Sequence, residues 1–581
     1  MTQNRKLFLN LYWHMHQPDY RDHLTGEFIL PWTYLHAIKD YTDMAYHLEQ
    51  NPDARATFNF VPILLEQLED YTRQFAEGRM RDPLLALFTV GEDVPLTAEQ
   101  RKLIVESCFK SNHTKLIAPF PAYSHLYELF RMQASSVVDA CEYFSDQYMW
   151  DLLMWYHLAW TGESVRRESE LVARLMGKGS MFTVEERNQY FVLLGELVSG
   201  IIPRYRALAE RGQIEISSTP DYHPILPLLL DFKSAHDTMP DAALPQNERY
   251  PGGLARAQAH VDAALESHRQ RFGHTPSGMW PAEGGVSQAA LLLLAEKGVK
   301  WAATGESVLG NSLYKAYQQA LPDQNQYLYK PYQVSDGTHA ITCFFRNDML
   351  SDKIGFEYSK WYAEDAVKDF VQELERIYAS TNPDISPVVS VILDGENAWE
   401  YYPYNAYYFL SQLYAKLAEH PNIVLATPGE ITAHCENAQA SEGDFAGVEI
   451  KVEPLPAVAA GSWVYGTFST WIGSPDKNRG WDLLCEAKKN YDLVMAGTKL
   501  TDRERAQATR QLADCEGSDW FWWFGDYNSA QSVASFDSLY RRNLTNLYRL
   551  LKLPIPKVLD SVISVGAGNP EAGGAMRRGQ E

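Results

Sequence analysis

The sequence predicts an α/β fold: a parallel barrel of seven or eight strands with a helical insertion, followed by a mainly helical C-terminal domain. Three observations predict it. Short apolar runs alternate with amphipathic stretches from residue 6 to about 430, and strand–helix–strand repetition calls for parallel pairing with right-handed crossovers. Between about 82 and 210 the rhythm gives way to long helical periodicity, which marks an insertion. After about 430 the alternation stops and helical runs return. The expected domains are a catalytic barrel over 1–430, a helical domain over 431–562 and a disordered tail over 563–581, ending GAGNPEAGGAMRRGQE without apolar periodicity.

The elements follow in order. Residues 6–12 (KLFLNLY) read as a first buried strand, 36–50 as helix, 55–60 (RATFNF) as a second strand and 61–71 as helix. Beyond the insertion, strands are expected at 213–217, 277–280, 300–304, 340–346, 387–394 and 422–426, which makes eight candidates. Residues 287–297 form a helix with Ser287 as cap and Gly298 at its close. Helices also fit 360–378 and 404–419. Residues 439–460 are mixed and loop-rich; 481–515 and 532–551 read as helices.

At 581 residues the chain exceeds one ordinary core. Its net charge of −22 repels phosphates, so nucleic acid and anionic membranes are poor partners, whereas a neutral substrate meets no such penalty. Fifteen Trp and 34 Tyr supply flat apolar faces with polar edges, which suit sugar rings or a large aromatic core. The six cysteines show neither zinc-ligand spacing nor a dense disulfide pattern. The N-terminus lacks an apolar signal region and no run of about 18 apolar residues occurs, so the expected compartment is the cytoplasm.

Four constellations can carry chemistry. His14 and His16 follow the first strand and share a face, where they serve sugar hydroxyls, a metal or structural hydrogen bonds. Glu215 lies within a buried-looking strand and needs a partner, either structural or bracing an active-site group; His223 follows on a loop. In GMWPAEGG a short strand ends in a Pro/Gly-flanked loop with Glu283 at its mouth, a geometry that suits a nucleophile. In PVVSVILDGENAW an apolar strand runs into Asp394-Gly395-Glu396, and Asp394, nearer the strand end, is the candidate acid. Two carboxylates from two strand ends fit glycoside hydrolysis, one protonating the leaving oxygen and the other attacking the anomeric carbon or activating water. Arg346 with Asp352 can orient a carboxylate, hold a sugar or form a structural ion pair. Trp280, Trp399, Trp463 and Trp523 are candidate sugar platforms, the last within SDWFWWFGDYN, which either reaches back over the cleft or plugs two domains together.

Taken together, the motifs resemble glycoside hydrolase family 57. Its pattern of His-Gln-Pro, a Gly-x-x-Glu-Ile segment running to His-Pro, Trp-x-x-Glu and Asp-Gly-Glu-Asn is matched at 16–18, 212–224, 278–285 and 393–399. A fifth motif is matched at 461–471 with Asn478 and Trp481. The resemblance implies a (β/α)7 barrel, one strand fewer than counted, a retaining mechanism and no obligatory metal or other cofactor. It implies Glu283 as nucleophile, Asp394 as general acid/base, and His14, His16 and His223 among the substrate-binding residues. The implied activity is hydrolysis of α-glucosidic bonds in glycogen, starch or maltodextrins, with the amylase and amylopullulanase group nearest in motif form. The alternatives are a 4-α-glucanotransferase or branching enzyme with the same acids, a metal-dependent deacetylase or mannosidase-like enzyme using His14 and His16, and a glycan-binding protein without turnover.

Overall fold

The computed structural model describes residues 5–91, 94–133, 136–437 and 442–568. Its strands are β1 (Leu7–Met15), β2 (Ala56–Phe60), β3 (Ile214–Ser218), β4 (Gly278–Met279), β5 (Trp301–Gly305), β6 (Tyr332–Ser335), β7 (Ala340–Arg346), β8 (Val388–Asp394), β9 (Ile423–Leu425) and β10 (Glu453–Pro454). Seven of them, β1 to β5 with β7 and β8, pair in parallel and close into a barrel. Closure runs through Arg346 opposite Ser390 and then along β8 and β1, from Phe8 opposite Val388 to His14 opposite Asp394.

The expected eighth barrel strand is β9, and it lies outside the ring. β1 has nine residues but meets β2 only from Tyr12 to Met15. Its earlier half, Leu7 to Leu9, pairs with β9 on that same edge, which satisfies backbone groups the shorter β2 leaves unpaired. β7 repeats the device: it joins β8 at Arg346, while its start pairs antiparallel with β6, a strand the sequence reading missed.

Alternation along the strands sorts the core. Phe8, Tyr12, Trp280, Trp301, Phe344 and Ile392 fill the barrel interior. Leu7, Leu9, Leu11, Trp13 and Met15 face the surrounding helices instead. Because the side-chain period is two, continuing the inward set to the C-terminal strand ends brings His14, Arg346 and Asp394 to the barrel mouth. Glu215 is also inward but belongs to the opposite end. It accepts the Trp301 indole N–H at 2.8 Å and the Gly429 N–H at 2.8 Å, so its role is structural.

The insertion is helical as expected, ending in a 27-residue helix, Val184–Glu210, started by a Thr183/Glu186 capping box. Helix Gln288–Glu296 begins where Ser287 accepts the Ala290 N–H. The helix expected over 481–515 is two, Pro475–Met495 and Asp502–Cys515, because Thr501 and Glu504 form a fresh capping box after the Gly497 break. Helix Ala530–Leu550 packs on the second of these. Of the expected tail, 569–581 lies outside the described residues, whereas Ile563 and Ser564 are buried and donate their N–H groups to Asp537. Residues 439–441 of the loop-rich stretch also lie outside the described residues. All six cysteines are free thiols. Among the described residues no helix is long and apolar enough to cross a membrane.

Candidate active site

Three histidines stack at the barrel mouth. His16 and His223 have ring centroids 3.9 Å apart, and His14 lies 5.1 Å from His223 and 5.7 Å from His16. His14 Nδ1 is 2.7 Å from Asn59 Oδ1, its Nε2 is 3.1 Å from His223 Nε2, and His223 Nδ1 is 2.8 Å from Ser518 Oγ. One assignment satisfies this chain: the Ser518 hydroxyl donates to His223 Nδ1, His223 Nε2–H to His14 Nε2, and His14 Nδ1–H to Asn59. Both rings are then neutral. Their basicities agree: burial, then the charge of His16, lowers His14 to about 3, and burial lowers His223 well below the ordinary range.

Glu283 sits beside this stack, its Oε1 3.9 Å from His223 Nδ1. Its Oε2 accepts the Trp463 indole N–H at 3.1 Å, and its carbonyl accepts the Trp463 backbone N–H. The 461–471 segment therefore folds onto the 278–285 motif through two hydrogen bonds. The backbone is strained there: Glu283, Tyr222 and His223 each have φ of 58°. For a non-glycine residue the left-handed region costs roughly 1–2 kcal/mol, and such strain collects where side-chain aim is over-determined by surrounding contacts.

Asp394 ends β8 opposite His14. It accepts the Asn397 side-chain N–H at 3.0 Å. Burial pushes its carboxyl up to about 6, against the opposing pull of Asn397, His16 and Arg346. A Cβ at Gly395 would lie 2.3 Å from Met15 Sδ, so a side chain there would have to displace the end of the Met15 side chain. Glu396 turns the other way into the protein. It accepts the His16 backbone N–H, the Gln17 side chain and the Tyr41 hydroxyl, each at 3.2 Å, and burial raises it well above the carboxylate range. The structure thus separates the two acids of the motif, with Asp394 electrostatically coupled to His16 and Arg346 and Glu396 bracing the His-Gln-Pro turn.

The remaining predicted residues divide. Arg346 donates to Asp348, to Asp352 at 2.7 Å and to the Ile392 carbonyl, with its guanidinium 5.5 Å from the centre of the Trp463 ring. Trp463 hence touches Glu283 on one side and Arg346 on the other. Trp280 is fully buried between His14 and Trp463, and its indole N–H finds no acceptor among the described residues. Trp399 packs behind the site on Trp13, with its N–H on the Gly395 carbonyl. Trp523 stacks on Phe536 of the C-terminal helix at 4.7 Å. These last two contacts are with the core, not with the stacked histidines.

The sequence reading missed Asn59, Ser518 and Asp519. The SDWFWWFGDYN stretch does reach back over the barrel mouth, but through its first two residues rather than its tryptophans. Ser518 N donates to the His223 carbonyl at 2.9 Å, and His16 Nε2 lies 2.9 Å from Asp519 Oδ1. His16 Nδ1, like the Trp280 N–H, is buried without a partner among the described residues. Donor atoms of His16, His223 and Asp519 fall within 4.8 Å of one another, a possible metal-ligand set. Both ring nitrogens of His223 already engage Ser518 and His14, so a cation would have to displace one of them.

The sequence matches glycosyl hydrolase family 57 over residues 10–444. A branching enzyme of that family from Thermococcus kodakaraensis superposes with a TM-score of 0.56 at 14% identity, covering 95% of this chain and 90% of the other. One from Pyrococcus horikoshii gives 0.55 at 16% identity, covering 96% of each chain. An α-amylase from Thermotoga maritima gives 0.54 at 16% identity, covering 94% of each. No curated protein matches the sequence. At such identities the structural likeness speaks for the fold alone, while the family match spans most of the chain, from His14 through Glu283 to Asp394: the protein belongs to glycosyl hydrolase family 57 and is a glycoside hydrolase-type enzyme.

Proposed function

We propose that this chain cleaves α-glucosidic bonds in glycogen, starch or maltodextrins with retention of configuration, Glu283 acting as nucleophile and Asp394 as general acid/base. The observation that carries this reading is the pair of acids set about one stack of neutral histidines, one acid at a strained turn and the other held near pKa 6. In the first step the Glu283 carboxylate bonds to the anomeric carbon as the glycosidic bond breaks, and Asp394 gives its proton to the departing oxygen. Water then gives a proton to Asp394 and attacks the same carbon, and the Glu283–carbon bond breaks. The Trp463 N–H on Glu283 holds the carboxylate in place. His14 and His223 stay uncharged near neutrality, which keeps intact the hydrogen-bond chain from Ser518 to Asn59 that fixes their rings beside Glu283. The buried Trp280 N–H and His16 Nδ1 have no partner among the described residues, and buried polar groups of that kind call for a ligand's complements. We assign Arg346, Asp352 and Trp463 to the wall of the sugar cleft, and Trp399 and Trp523 to supporting positions behind it. Six free thiols agree with a reducing cytoplasm.

Transfer is the second reading. His14 is 4% and His223 1% exposed, and a site that excludes water favours interception of the glycosyl-enzyme by a sugar hydroxyl. Incubation with maltoheptaose separates the two: a rise in reducing ends marks hydrolysis, and a ladder of longer products without that rise marks transfer. Neither product with wild type, under conditions where it is folded, overturns the α-glucan reading. Turnover undiminished in Glu283→Gln overturns the assignment of the nucleophile.

A further inference from the structure

Beyond β5, on the same face of the barrel as the stacked histidines, lies a cavity open to solvent. Helix Glu306–Tyr317 starts directly at the strand end. Glu306, Ser307, Asn311 and Tyr314 from that helix, with Leu321 and Tyr327, line about 350 Å³. That volume lies at the small end of ligand pockets. The lining offers two phenol rings, a hydroxyl, a carboxamide and a carboxyl, and no cation. An anion would meet no counter-charge, whereas a sugar ring finds apolar faces and neutral hydrogen-bonding groups. Burial and the neighbouring Asp348 hold the Glu306 carboxyl up at about 7, which keeps it partly neutral.

Two routes connect this cavity to the proposed acids. Glu306 accepts the Asp348 N–H at 3.0 Å, Asp348 pairs with Arg346, and Arg346 lies over Trp463. On the other wall, the Asn311 amide reaches the Gly466 carbonyl at 3.4 Å. Gly466 is pressed so closely on the helix that a Cβ there would fall 2.7 Å from Ser307 Cβ. The segment whose Trp463 holds Glu283 therefore packs against the helix that lines the cavity.

We infer that this cavity is a remote subsite that holds a glucosyl unit of an α-glucan chain whose scissile bond lies at Glu283 and Asp394. The inference rests on the α-glucan reading above and adds where the chain is gripped away from the reacting bond. The subsite acts on affinity for long chains and leaves the bond-breaking step to the acids.

The test uses the full chain with two independent substitutions, Tyr314→Ala and Gly310→Leu. Tyr314 is 57% exposed, so its truncation costs little packing. Gly310 lines the cavity, and a side chain there would fill it, the nearest obstacle being the flexible Leu321 Cδ1 at 3.2 Å from the new Cβ. Migration in native gels containing glycogen reads affinity without turnover, and kinetics on maltoheptaose and on an aryl α-glucoside read the two regions separately. We expect each variant to bind glycogen about tenfold more weakly and to show a similar rise in KM for maltoheptaose, a loss of about 1.4 kcal/mol. The aryl glucoside, confined to the reacting bond, is turned over within about twofold of wild type. Unchanged glycogen affinity in both variants overturns the subsite. An equal loss on the aryl glucoside also overturns it, because the cavity would then act only through Arg346. Wild type that neither binds nor turns over any α-glucan instead defeats the α-glucan reading, a result distinct from variants that match an active wild type.

Discussion

Asp394→Asn gives the account a prediction in which stability and activity move in opposite directions. Packing raises the Asp394 carboxyl from 3.8 to about 6. At about 1.36 kcal/mol for each tenfold change in acidity, that difference is worth roughly 3 kcal/mol of folding stability. The sign follows from the raised value: the fold binds the proton more tightly than the unfolded chain does. The stability is fully present below about pH 3.8 and is lost as pH rises through about 6. Asparagine keeps the oxygen that accepts from Asn397 but cannot ionise. The variant is therefore expected to melt a few degrees above wild type at pH 8 and together with it near pH 4. Its turnover of maltoheptaose falls about 10²–10⁴-fold for loss of the general acid. Thermal melts across pH, paired with product assays, check both halves. A melting difference that does not change with pH, or activity that survives on an unactivated substrate, refutes the reasoning.

Other outcomes follow from the same geometry. In wild type, kcat/KM is expected to fall as pH rises through about 6, where Asp394 loses its proton. Asn397→Leu removes a hydrogen bond that favours the charged form, so that limb moves up by about half to one pH unit; an unmoved profile contradicts the assignment. Asp519→Asn removes the carboxylate paired with His16 and is expected to lower kcat/KM about 10–100-fold with an unchanged melting temperature. Arg346→Met leaves Asp348 and Asp352 without their shared cation, costing about 3–5 kcal/mol in a denaturant titration.

Much of the fold was legible because a period of two along an apolar strand is hard to mistake. The KLFLNLY run, extended by two residues, carries His14 to the inward face at the strand end, and PVVSVILD does the same for Asp394. The strand count failed for a reason outside any local pattern: β9 and β2 share one edge of β1, and only pairing decides which of them closes the ring. The break in the helix expected over 481–515 was written locally, in Gly497 and the Thr501-x-x-Glu504 cap. Asn59 was also within reach, as the polar residue near the end of the apolar strand ATFNF. Ser518 and Asp519 were not. They meet His223 and His16 across roughly 300 and 500 residues of chain, and nothing near either end specifies that meeting. A clamp fixes their approach: Glu516, fully buried, accepts from Tyr250, Arg256 and His260, which anchors the turn two residues before Ser518.

The central claim, a covalent bond between sugar and Glu283, can be tested by trapping. A 5-fluoro-α-glucosyl fluoride forms the glycosyl-enzyme and slows its breakdown, and peptide mapping by mass spectrometry then locates the adduct. The account predicts one fluoroglucosyl mass on the peptide carrying Glu283, absent in Glu283→Gln. An adduct on another side chain, or turnover of the reagent with inverted configuration and no adduct, would contradict it.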